Sequence, residues 1–187
     1  GTNVQALGSN SFATGLDSIA SGVNSHAEGN LTTASGLNSH SEGNLTTASG
    51  NYSHAEGVGT KASTHASHAE GEGTTSNGFQ ASHAEGYATK ASGNYGSHSE
   101  GSFTIASGIS SHAEGGYTTA IGYASHAEGF TTKALGDYSH AEGSTSIVSG
   151  DISHVGGYSN DNRADYSFIG SGSGNTIYSA STFSFIG

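Results

Sequence analysis

The strongest constraint in this sequence is a fourteen-residue phrase repeated in register, as in residues 30–57, NLTTASGLNSHSEGNLTTASGNYSHAEG, which hold two copies. Each phrase is two sevens of the form x-x-[Ser/Thr]-x-Ala-x-Gly, with SHAEG and TTASG as alternating versions. From Thr2 the sevens close on Gly8, Gly15, Gly22, Gly29, Gly36, Gly43, Gly50 and Gly57; Thr64 stands where the next glycine is due, and the phase resumes at Gly71 and Gly78. One extra residue enters before Gly86 and another before Gly101, after which the register is clean to Gly157. A unit this short can bury its inner face only against its neighbours, so the repeat dictates a stacked architecture.

Small residues at positions three, five and seven alternate with varied ones at four and six, a period of two that predicts strand. The insertions fall outside SHAEG, so the first two positions are read as turns and the five-residue core as strand. Proline is absent, and the glycine closing each seven is expected to take positive φ there. Two strands and two turns per phrase make one coil of an all-β, flattened parallel β-roll, a solenoid of about 14 residues per coil spanning residues 1–157. Position five is Ala in most sevens, as at Ala27, Ala34, Ala55, Ala84, Ala113 and Ala141, with Ser41, Ser76 and Ser99 as polar exceptions. These small residues and the Ser or Thr at position three are assigned to the interior. Beyond Gly157 a polar stretch leads to YSFIG at residues 166–170, repeated as FSFIG at 183–187. Residues 158–187 are assigned to a wider-coil or closing β segment, cut short at its C-terminal end.

Leu, Ile, Val and Phe together make only 27 of 187 residues, and with 31 glycines and a net charge of −11 that composition suits a disordered chain. The register overrules it, because disorder needs none. An interior of methyls and hydroxyls buries little apolar area. At about 25 cal/mol per Å² it hardly offsets backbone ordering at about 1–2 kcal/mol per residue. A lone roll is therefore expected to be marginal, and association is its natural remedy. The absence of cysteine excludes disulfides and thiolate ligands. The only basic residues, Lys61, Lys90, Lys133 and Arg163, are too few for a nucleic-acid footprint. No apolar run is long enough to cross a bilayer and no basic-then-apolar leader opens the chain, so it is read as a segment of something longer, without membrane insertion.

Ten of the eleven histidines occupy position four of alternate sevens: His26, His40, His54, His68, His83, His98, His112, His126, His140 and His154, with His65 as the stray. Nine have a glutamate two residues on, at Glu28, Glu42, Glu56, Glu70, Glu85, Glu100, Glu114, Glu128 and Glu142. Residues two apart in a strand share a face, so stacking predicts a His column beside a Glu column on the outside of the roll. Position four of the other strand varies through Ile19, Thr33, Lys61, Lys90, Ile105, Thr119 and Lys133, as a solvent face would. The rows are read as a structural His-to-Glu hydrogen-bond ladder that relieves carboxylate repulsion. The alternative is a metal-binding or pH-responsive fibre in which imidazoles converge on Zn, Ni or Fe. Ten equivalent sites look like scaffold, so no metal or other cofactor is assigned. No catalytic residue is assigned either: Ser25 and His26 point to opposite sides of one strand, so nucleophile and base never meet.

Aromatic residues cluster at or beside the turns. Tyr52, Tyr87, Tyr95, Tyr117, Tyr123, Phe130 and Tyr138 are candidate surface contacts that repetition would make multivalent. Thr32-Thr33, Thr46-Thr47 and similar pairs suggest an ice-binding solenoid, a lesser alternative because adjacent Thr face opposite ways.

The cores SIASG, SHAEG, TTASG, TIASG and TKALG, separated by two-residue spacers through residues 2–157, resemble the head repeats of trimeric autotransporter adhesins of the YadA-like type. The resemblance implies a left-handed roll, a homotrimer about a threefold axis and an extracellular role in surface attachment, with a host-cell receptor or glycan as the expected partner. Because the other face varies as a solvent face would, the uniform His/Glu face is read as the one turned toward that axis. His and Glu replace the aliphatics common in that family. The SHAEG phrasing and the SFIG-type ends look more like segments of phage tail fibres and related surface fibres. The chain is thus expected to be a non-enzymatic attachment fibre segment, in a bacterial surface adhesin or a phage virion tail fibre.

Overall fold

A computed structural model describes residues 1–187. All named elements are strands, 26 of them, arranged as two 13-stranded parallel sheets that alternate along the chain. Each strand pairs with its counterpart one phrase later, as in His26↔His40 with Ala27↔Ser41 and Thr33↔Thr47 with Ala34↔Ala48. The chain is a parallel β-solenoid of about 13 coils, with one sheet carrying the histidines and the other the TTASG-type cores.

The two strands of a coil are unequal. In the His sheet the strand runs His26–Asn30, through the glycine and into the first spacer residue, whereas the opposite strand is only Thr33–Ala34. The expectation that the five-residue core is itself the strand is therefore corrected by one residue, and Ser25 is the corner before it. From His126–Ala127 onward the His-sheet strands shorten to two residues as well.

The turns also differ from expectation, because the left-handed residue is the second of each seven and is seldom glycine. Asn24, Leu31, Asn38, Leu45 and Tyr52 have φ of 55°, 55°, 52°, 61° and 60°. Asn suits this region, while Leu and Tyr are held there at a cost of about 1 kcal/mol or more. The conformation aims the turn N–H back along the stack, where Leu31 donates to the Leu16 carbonyl at 2.8 Å and Tyr52 to the Leu37 carbonyl at 2.7 Å. The two inserted residues are absorbed in the same place: Gln80 and Ala81 both take positive φ, as do Tyr95 and Gly96.

The recurrent glycines serve close stacking. A Cβ on Gly36 would lie 1.9 Å from the Gly50 carbonyl oxygen, although Gly36 has an ordinary φ. Gly29, in the His sheet, combines φ of +120° with a similar approach of 2.0 Å to the Gly43 oxygen. Positive φ at the closing glycine thus holds for the SHAEG half of the coil and not for the TTASG half.

The interior is as narrow as the sequence requires. Ala27, Ala34, Ala55, Ala84, Ala113 and Ala141 are fully buried, as are Ser41, Ser76 and Ser99. Position-three serines cap the turn behind them: Ser25 donates to the Gly22 carbonyl at 2.8 Å and Ser53 to that of Gly50 at 2.7 Å. A hydroxyl is therefore needed for hydrogen bonding as well as for size. Toward the C-terminus the core fattens to Val148, Val155, Ile169 and Ile177. Polar residues 157–165 include another strand, Asp161–Asn162, with Asn160 and Asn162 inside and bonded to the Gly156 carbonyl at 2.6 Å and the His154 carbonyl at 2.9 Å. The last coils are longer, with Asp161 paired to Thr176 and Phe168 to Phe185.

Candidate functional site: the histidine and glutamate columns

The in-register pairing places the ten histidines in one file on the outside of the roll. From His26 to His140 successive imidazoles stack with centroids 4.6–4.9 Å apart and planes within 12°. His154 turns edge-on to His140, at 83°. Phenylalanines continue the file at both ends, Phe12 against His26 and Phe168 against His154. The rings are about one-third exposed, so the stack is a surface feature whose nitrogens face the glutamates.

Those nitrogens lie near carboxylates of their own coil and the preceding one. His54 Nε2 is 3.8 Å from Glu56 and 4.0 Å from Glu42, and His126 Nε2 is 3.4 Å from Glu114. Only His140 reaches hydrogen-bond range, at 3.1 Å from Glu128. The expected ladder of His-to-Glu hydrogen bonds is therefore replaced by a looser interleaving. Stacked rings and stacked carboxylates both follow the coil spacing, which leaves each nitrogen between two carboxylate levels. The Nε2 atoms of His26, His40, His54, His68, His83, His98, His112 and His126 are closed off from solvent and have no hydrogen-bond partner.

Charge is relieved by a different route from the one expected. Burial, then the neighbouring imidazoles, hold His40, His54, His83 and His112 below the ordinary histidine value, so they favour the neutral form. The carboxyls instead share protons among themselves. A hydrogen bond to Glu56 pushes Glu42 up to about 7, and bonds to Glu85 push Glu70 and Glu100 up to about 7. Glu85, accepting from Glu70 and Glu100, falls to about 2, and Glu56 and Glu114 are lowered by the same kind of contact. Raised and lowered carboxyls thus alternate from Glu42 to Glu114. Beside them runs a floor of glycines, Gly71, Gly86, Gly101, Gly115 and Gly129, forming an open groove without apolar lining.

The candidate contact aromatics divide between two turn edges. Tyr52, Tyr95, Tyr123 and Tyr138 precede the His strand, where Tyr123 and Tyr138 lie 5.1 Å apart. Tyr87 ends the His strand and Tyr117 and Phe130 follow it, joined through Phe103 in a continuous file with centroids 4.9–5.8 Å apart. All seven are roughly half exposed. Ser25 is buried with its hydroxyl committed to Gly22, on the side of the strand opposite His26, so no Ser–His dyad forms.

One feature escaped the sequence reading. Asx side chains at the first spacer position accept the backbone N–H of the previous coil: Tyr123 to Asp137, Asp137 to Asp151 and Asp151 to Asp165, at 2.8, 2.8 and 2.9 Å. The recurrence of Asn or Asp at that position was its only signal.

The YadA head domain repeat family matches residues 5–25, 13–39 and 99–125. Residues 5–39 and 99–125 are thus similar to YadA head repeats. The matched stretches contain the coils of His26 with Glu28 and of His112 with Glu114, so at those two coils the columns lie on segments similar to YadA head repeats. YadA-like heads are adhesin modules, as a class extracellular, trimeric and generally non-enzymatic. No curated protein matches the chain.

Proposed function

We propose that the chain is a structural attachment segment of a bacterial surface adhesin: a left-handed roll that associates as a homotrimer and serves as a rigid extracellular spacer and host-surface contact. The carrying observation is the thin interior, in which the core from Ala20 to Ala141 holds nothing larger than Ala, Ser and Thr while the large apolar residues lie outside. Such a core favours a roll that leans on its own copies. The His/Glu face, uniform over nine coils, is assigned to the threefold axis. The aromatic edges are then left facing outward for a receptor or glycan. Residues 158–187, with their longer coils, act as the wider closing segment. The YadA head match supports the bacterial surface and lends nothing to the phage setting.

Mass in solution tests the assembly. Light scattering should give three times the 18.5 kDa chain mass, and a stable 18.5 kDa monomer at micromolar concentration would overturn the trimer. Binding of the trimer to host cells should fall at least tenfold when Tyr87, Tyr117 and Phe130 are all replaced by serine. Unchanged binding would exclude that edge as the contact.

A further inference from the structure

Eight imidazole nitrogens, from His26 to His126, are shut off from water and bonded to nothing. A buried polar atom without a partner is destabilising unless something outside the chain's own hydrogen bonds satisfies it. The surrounding oxygens are placed suggestively. His98 Nε2 is 3.4 Å from Glu85, His26 is 3.5 Å from Glu28, and His68 is 3.7 Å from Glu70. These separations exceed a hydrogen bond of about 2.7–3.2 Å. They suit donors sharing one ion, since ligands about 2.0–2.2 Å from a tetrahedral zinc stand about 3.3–3.6 Å from each other.

The geometry points to a file of divalent transition-metal sites of the Zn²⁺ class along this column, each ion held by three side chains from adjacent coils. Two alternating donor sets arise. His26, Glu28 and His40 offer two imidazoles and one carboxylate, whereas Glu42, His54 and Glu56 offer one imidazole and two carboxylates. Within each set the donor atoms lie within 4.8 Å of one another. The sets at His68, Glu70, His83 and at Glu85, His98, Glu100 repeat the alternation without sharing a residue.

The chemistry selects the class of ion. Imidazole nitrogen with carboxylate oxygen is a borderline donor set that suits Zn²⁺, Ni²⁺ or Cu²⁺, while Mg²⁺ and Ca²⁺ require oxygen shells. Charge selects a cation: the net charge is −11, and Lys61, Lys90 and Lys133 lie in the opposite sheet. Each set joins neighbouring coils, so an ion there ties one coil to the next and stabilises the stack by mass action. Repetition, which from sequence looked like scaffold, is what a row of coil-to-coil ties requires. Each set is complete within one chain, so the inference stands or falls independently of the trimer.

The test uses the untagged chain stripped with EDTA. Titration with ZnCl₂ in excess MgCl₂, followed by elemental analysis, should give several Zn²⁺ per chain, up to the six donor sets present. Melting should rise with Zn²⁺ and not with Mg²⁺. The variant His54→Phe/His98→Phe should keep the fold, because Phe12 and Phe168 already sit in the same file, and should lose two ions. Circular dichroism of the variant checks that the roll is intact. Uptake of one ion or fewer, uptake unchanged in the double variant, or equal stabilisation by Mg²⁺ would each overturn the proposal. So would a single ion lost on His65→Ala, which marks adventitious binding at the stray histidine.

Discussion

The ring nitrogen of His98 lies 3.4 Å from Glu85 in the coil before it and 4.0 Å from Glu100 in its own coil. From His83 to His154 each ring nitrogen has its nearest carboxylate in the preceding coil, whereas from His26 to His68 the nearest is in its own strand. The imidazole of His98 also stacks on His83 and His112, each at 4.8 Å.

Stacking and polarity at this position are separable by substitution. His98→Ala removes two ring contacts, each worth about 0.5–1.5 kcal/mol, and should destabilise the roll by about 1–2 kcal/mol in urea denaturation. His98→Phe in metal-free protein keeps the stack and should lie within about 0.5 kcal/mol of the parent. Equal losses for both would assign the position's stability to the nitrogen and not the ring.

The carboxyl file gives the metal-free protein an alkaline weakness. Glu42, Glu70 and Glu100 are raised to about 7 from an ordinary value of 4.5, so their contribution is complete below about 4.5 and is lost as pH rises through 7. His40, His54, His68, His83, His112 and His154 are lowered from 6.5, so theirs is present above 6.5 and lost as pH falls. Glu56, Glu85 and Glu114 reinforce the acid loss below 4.5. The groups facing these side chains are the imidazoles and carboxyls of the adjacent coils. In EDTA, melting temperature should therefore fall as pH rises from 6.5 through 7, where the raised carboxyls lose their protons and the histidines no longer compensate, then level off, and it should fall again below pH 4.5. Glu42→Gln/Glu70→Gln/Glu100→Gln supplies a permanent N–H donor at each raised site and should flatten the alkaline limb; an unchanged limb would refute proton sharing.

A closing glycine and a turn glycine should respond differently to substitution. Gly36→Ala drives a methyl to 1.9 Å from the Gly50 carbonyl in the next coil, against backbone that cannot yield locally. A loss of about 2–3 kcal/mol or more is expected. Gly59 has φ of +66° and nothing within 4 Å of its would-be Cβ, and Asn3 occupies the same turn position in the first coil with φ of 55°. Gly59→Asn should fall within about 0.5 kcal/mol of the parent, and matching urea midpoints for the two variants would reject close stacking as the reason for the glycine column.

Much of this fold was legible because the repeat states its own register. The inward Ala and Ser at Ala27, Ser41 and Ala55, the outward His26 and Glu28, and the location of both insertions follow from a period of two inside a period of fourteen. The coil's asymmetry was not legible. Nothing in SHAEG against TTASG says that one strand has five residues and the other two, since that depends on how the turns close in three dimensions. Nor did composition place Tyr52 and Leu31 at positive φ, a conformation imposed by the coil beneath through its carbonyls. At the site, sequence put His and Glu side by side. Spacing of nitrogen from oxygen, and hence which groups hold protons, required coordinates.

Serines at neighbouring inward positions allow the interior itself to be tested. Ser39 Oγ donates to the Gly36 carbonyl at 2.8 Å in a buried corner, so Ser39→Ala removes a cap that no water replaces and should destabilise by about 1 kcal/mol. Ser41 is equally buried, but its hydroxyl only bonds that of Thr46, at 2.8 Å, and it interrupts the alanine file between Ala34 and Ala48. The hydroxyls of Thr60, Thr74, Thr89 and Thr118 already lack partners, so the roll tolerates an unpaired threonine at this level. Ser41→Ala would add a methyl-lined step to the core and leave Thr46 in that same state. Its urea midpoint should match the parent's, corresponding to within about 0.5 kcal/mol, while that of Ser39→Ala falls. If Ser41→Ala proves the more damaging, hydroxyl pairing inside the tube holds the coils together more than turn capping does, and the role given to position-three serines is wrong.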